Sequence, residues 1–104
     1  MRKIVYLCVP WDISNEELLA YMRFAFQKET IPIGPRIYFP WLESEKQADV
    51  LGISLIWRCD EVWQFGENTT ANMEKAVRCG QLLNLKVRYF RKSNKDGEIY
   101  EYKC

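Results

Sequence analysis

The sequence has no histidine, which removes Ser-His-Asp and Cys-His catalysis together with the commonest general base. Any proton transfer therefore falls to carboxylates, tyrosines or lysines. The four cysteines, Cys8, Cys59, Cys79 and Cys104, are widely spaced and form no CxxC pair. A Cys/His zinc site is not expected, and the thiols read as small buried apolar residues. No cofactor or metal is implied. Long runs of one charge are missing too. Fifteen basic residues stand against 14 acidic ones, for a net charge of +1, and that balance argues against a binder of nucleic-acid phosphates. No apolar stretch approaches the length of a membrane span and no signal-peptide pattern is seen. The expectation is a cytoplasmic protein with reduced thiols and no membrane partner.

At 104 residues and 48% hydrophobic content, the chain is long enough for one domain with a core and too short for two. The run KIVYLCV (3–9) is continuous, rich in β-branched residues and closed by Pro10. That is the pattern of a strand buried on both faces, expected at the centre of a sheet. Ser14 and Glu17 make a capping box for a helix running to about Thr30, with Leu18, Tyr21, Met22 and Ala25 at helical spacing. IPI (31–33) is a short second strand. GPRIYFPWL (34–42), punctuated by Gly34, Pro35 and Pro40, is read as an irregular aromatic loop.

Ser44 caps a second helix with Val50, Ile53 and Trp57 on one packing face, ending near Arg58 or Cys59. EVWQFG (61–66) is the third strand. Thr69 or Thr70 caps a third helix whose inner face carries Met73, Ala76, Val77, Gly80 and Leu83, with Asn84 in the left-handed position at its end. KVRYF (86–90) is the fourth strand. SNKDGEIYEYK (93–103), with its Asp-Gly turn, returns antiparallel as an edge. Trp57 and Trp63 fall inside these elements and are assigned to packing.

Three strand-to-helix alternations predict an α/β fold: a parallel sheet of about four strands with helices on both faces and a C-terminal antiparallel edge strand. Ligands of such sheets bind beyond the carboxyl ends of the strands. The rule selects VPWDIS, GPRIYFPW and GENTTAN, which supply Pro10, Trp11, Asp12, Arg36, Tyr38, Trp41, Gly66, Glu67, Asn68, Thr69, Thr70 and Asn72. Aromatics that stack and carboxylates that accept from hydroxyls suit a base or a sugar. Each residue also has a plainer role. Trp11 and Trp41 can close the core, Thr69 and Thr70 can serve as a cap, and Arg36 can be a solvated charge.

VYLCVPWD, IPIGPRIYFP, RCDEVWQFGENTT and KVRYF, in that order across residues 3–90, resemble the nucleoside 2-deoxyribosyltransferase-like family, especially its small bacterial and phage members. The resemblance implies a flavodoxin-like domain and a homo-oligomer. It also implies a glutamate nucleophile that attacks the anomeric carbon of a nucleoside or nucleotide and forms a covalent glycosyl intermediate. Gly66 and Glu67 match the opening of the family's turn, Thr70 replaces its serine, Asn72 its second glycine, and Met73 is matched. Ala76 then falls on the nucleophile. Val9 stands where a small polar residue usually precedes Pro10, and Arg36 where histidine is common.

Alanine cannot attack carbon, and Glu74 lies about 200° around the helix from position 76. The expected function is therefore a non-catalytic binding module for a nucleoside, nucleotide or ADP-ribose-like molecule, such as a phage-like sensor or sequestering protein. Two alternatives stand beside it. One is a residual N-glycosidase or deoxyribosyltransferase that uses Glu67 or Asp12. The other is a module that docks a protein partner through the loop at 34–42.

Overall fold

The apolar runs pair into one five-stranded sheet in the computed structural model, which describes residues 1–103. The elements in chain order are β1 (Lys3–Cys8), α1 (Asn15–Gln27), β2 (Thr30–Ile33), α2 (Pro35–Tyr38), α3 (Glu45–Ile56), β3 (Glu61–Phe65), α4 (Ala71–Leu82), β4 (Lys86–Lys92) and β5 (Ile99–Tyr102). The strand order is β2-β1-β3-β4-β5. The first four strands are parallel and β5 returns antiparallel to β4. This is the doubly wound order of flavodoxin-like sheets, with an antiparallel edge.

The centre of the sheet is β3, not β1 as the apolar run suggested. All five β3 residues are buried, but Glu61 and Gln64 disguise the strand's apolar character. Glu61 is accommodated there because its carboxylate accepts from Trp63 Nε1 at 2.8 Å and Lys3 Nζ at 3.0 Å.

Alternate residues of each strand face opposite layers. Val5, Leu7, Trp63 and Phe65 join Leu18, Tyr21 and Ala25 of α1 on one side. Tyr6, Cys8 and Val62 join Leu55 and Ile56 of α3 and Met73 and Ala76 of α4 on the other. Aromatic stacking fills the α1 side, where the Tyr21 and Phe65 ring centroids are 4.4 Å apart.

The helix starts follow local chemistry. Ser14, Ser44 and Thr70 each accept a backbone N–H through the side-chain oxygen. α1 stops at Gln27, short of Thr30, because Glu29 takes φ 62° and swings the chain into β2. Asn84 adopts φ 60° beyond α4, the left-handed position expected of it.

Two further expectations fail. Residues 34–42 are not wholly irregular, since Pro35 occupies the first position of α2, where a missing N–H costs nothing. In α3 the inner residues are Ala48, Gly52, Leu55 and Ile56. Val50, Ile53 and Trp57 are 60%, 43% and 67% exposed, so Trp57 is not a packing residue, whereas Trp63 is. The reason is close approach. A Cβ at position 52 would stand 2.5 Å from the Tyr6 hydroxyl, so α3 turns its smallest residues to the sheet.

Candidate functional site

The chain leaves β1 for α1 on one face of the sheet and leaves β3 for α4 on the other. Between these departures the carboxyl ends of β1 and β3 open into the crevice where doubly wound sheets hold ligands. A cavity of about 20 Å³ lies beside it, at the carboxyl ends of β1 and β2, room for a water molecule. Val9, Pro10 and Trp11 line one side, Gly34 to Ile37 and Leu42 another, and Tyr6, Ala48 and Asn72 the back. Anything larger enters by parting the walls at 9–11 and 34–42.

Tyr6 is 3% exposed, and its hydroxyl has no hydrogen-bond partner among the described residues. It borders both this cavity and a smaller hollow behind it. Burial, reinforced by Cys8, Cys59, Asp49 and Cys79, raises its pKa well above the ordinary tyrosine value. It is therefore a neutral group, able to donate one hydrogen bond and accept others.

Asn72 is buried and donates from Nδ2 to Asp49 Oδ1 at 2.8 Å, while Lys75 Nζ reaches Asp49 Oδ2 at 3.0 Å. Burial pushes the Asp49 carboxyl up. The hydrogen bonds from Asn72 and Lys75 and the lysine charge outweigh that effect and hold it below the usual range. Ala76 lines the hollow beside Asp49 and Lys75 and is absent from the lining of the main cavity.

Of the residues selected from sequence, the fold brings Pro10, Trp11, Arg36 and Asn72 to the cavity. Arg36 is not a solvated charge, because its guanidinium donates to Ile13 O and Asn15 Oδ1 and ties α2 to the start of α1. The others lie elsewhere. Asp12, Asn68 and Thr69 are exposed, and Thr70 is the α4 cap. Gly66 takes φ 96°, a turn conformation that suits glycine. Glu67 is exposed, with Arg91 Nη1 4.0 Å away. Tyr38 and Trp41, 60% and 58% exposed, pack on either side of Phe39, outside the cavity.

Sequence reasoning missed Tyr6 and Asp49. Tyr6 carries the one hydroxyl of the run KIVYLCV, a usable signal. Asp49 carried none, because its partners arrive from another helix.

Burial pushes the Cys8 thiol up to about 12, and burial with the Asp60 charge does the same for Cys59. Their Sγ atoms donate to Met73 O and Leu55 O, so both are inert at neutral pH. Cys79 is half-buried, and Cys104 lies outside the described residues. Among the described residues no group of three or more His, Cys, Asp or Glu converges as a metal site, and no helix is long and apolar enough to cross a membrane.

A family model described as a domain of unknown function, DUF7768, matches residues 3–90, from the start of β1 into β4. No curated protein matches the chain.

Proposed function

The chain belongs to this family of domains of unknown function, and we propose that it is a non-catalytic binding protein for a small molecule of the nucleoside or nucleotide class. The observation that carries the reading is the Tyr6 hydroxyl, which has no hydrogen-bond partner among the described residues and borders the cavity at the carboxyl ends of β1 and β2. A ligand hydroxyl or base edge would give it a hydrogen-bond partner. Asn72 stands beside it, and Trp11 at the wall offers a face on which a base stacks. Entry moves the walls at 9–11 and 34–42, which are short loops and the four-residue α2.

The absence of any Asp or Glu from the cavity lining supports binding without cleavage. Retaining glycosyl transfer needs a carboxylate against the anomeric carbon. Position 76 is alanine, Asp49 is engaged by Asn72 and Lys75, and Asp12 and Glu67 are exposed and outside the cavity lining. The buried, unreactive thiols of Cys8 and Cys59 suit a reducing cytoplasm, where the protein would sense or sequester its ligand.

The test is a thermal-shift screen against nucleosides, nucleoside monophosphates, NAD and ADP-ribose, with chromatography of each mixture. Stabilisation by one ligand class with that ligand intact is expected. Released base would show catalysis, and no shift with any member would remove the binding reading.

A further inference from the structure

Three cationic side chains are half-buried among the described residues: Arg36, Arg88 and Arg91. Arg88 faces the carboxylates of Glu61 and Glu101, and Arg91 faces that of Glu67. Arg36 has no carboxylate partner among the described residues, and it alone of the three lines the cavity. Its guanidinium meets only neutral acceptors, Ile13 O through Nη1 and Asn15 Oδ1 through Nη2. Further N–H groups remain to be given, Nε among them. Unlike the Nε of Arg91, that of Arg36 is not sealed inside the protein, and no acceptor among the described residues takes it.

We propose that Arg36 binds the phosphate of the ligand, so that the site favours a nucleotide over the bare nucleoside; the inference rests on the binding site described above. A charge partly withdrawn from water without a counter-charge is unfavourable, and an anion beside it relieves the penalty. The planar guanidinium fork matches two oxygens of one phosphate. Hydrogen bonds to a charged acceptor are roughly twice as strong as those to a neutral one, so a phosphate competes for the groups now given to Ile13 O and Asn15 Oδ1. Those acceptors belong to the start of α1, whereas Arg36 rides on α2, in the wall that parts to admit a ligand. Opening therefore frees the guanidinium at the step in which the phosphate arrives. Tyr6, Asn72 and Trp11, uncharged and in the same lining, are left for the base and sugar. The acids that flank Ile13 and Asn15 in the chain, Asp12, Glu16 and Glu17, are exposed and outside the lining, where water and salt screen them.

The test is calorimetric titration of the full chain with adenosine, guanosine, cytidine and uridine, each against its 5′-monophosphate. For the base that binds, the monophosphate should bind about tenfold tighter or more at low salt, and the gap should narrow as salt is raised. Arg36→Gln should bring the ratio of the two affinities close to one. Asn15→Ala removes a neutral acceptor and leaves the charge, so the ratio should stay at least as large as in the parent. A nucleoside that binds as tightly as its monophosphate overturns the inference and leaves the site itself standing. So does an Arg36→Gln variant that keeps the parental preference, or an Asn15→Ala variant that loses it, which would make Arg36 a tie between α2 and α1 and nothing more. Binding of neither member of any pair removes the site, and the inference with it.

Discussion

Asn72 donates from Nδ2 to Asp49 Oδ1 at 2.8 Å, joining the first turn of α4 to α3 at the back of the cavity. Asp49→Ala leaves the buried Asn72 amide without its acceptor and Lys75 without its counter-charge. The expected loss is about 1–3 kcal/mol, read from urea denaturation with an unchanged slope. A loss under about 0.5 kcal/mol would show that the contact does not hold α4 to α3.

Tyr6→Phe separates folding from binding. The hydroxyl has no protein partner, so its removal should change stability by less than about 0.5 kcal/mol. Ligand affinity should fall by about tenfold, the loss of one hydrogen bond, in calorimetric titration against the best compound from the screen. A variant that is strongly destabilised, or that binds as tightly as the parent, contradicts the role given to this hydroxyl.

Acid should weaken the fold through Glu61. Burial pushes this carboxyl up, but the Trp63 indole N–H, Lys3 and Arg88 hold it below the usual range. A depressed pKa gives stability that is present above the unfolded value of about 4.3 and lost as pH falls through the lower folded value. Asp49 adds in the same direction. Melting temperature should stay level from about pH 7 to 5 and drop below about pH 4, and Glu61→Gln should drop less steeply over that range. A Glu61→Gln profile parallel to the parent's contradicts the assignment.

Much of the architecture was readable because its signals are local. Ser14, Ser44 and Thr70 announce their helices through side chains that bond residues three positions on. Asn84 marks the end of α4, and the Asp96-Gly97 turn sets up β5 with Gly97 at φ 73°. What failed depends on neighbours distant in sequence. The central strand β3 looked less buried than β1 because the network around Glu61 draws on Lys3 and Arg88. The inner face of α3 was misread because contact with Tyr6 selects Gly52 and Ala48 over larger apolar residues. For the same reason the site was half visible: Pro10, Trp11, Arg36 and Asn72 sit where loops leave the strands, whereas Tyr6 and Asp49 gain meaning from elements that fold onto them.

The most direct test of a nucleoside-class site at the cavity beyond β1 and β2 is a titration of ¹⁵N-labelled protein with a nucleoside monophosphate, followed by amide and side-chain shifts. The account predicts saturating shifts at the Trp11 indole, the backbone amides of Val9, Gly34 and Ile37, and the Asn72 side chain, with the ligand intact at the end. Shifts confined to other surfaces, or none at millimolar ligand, would contradict it.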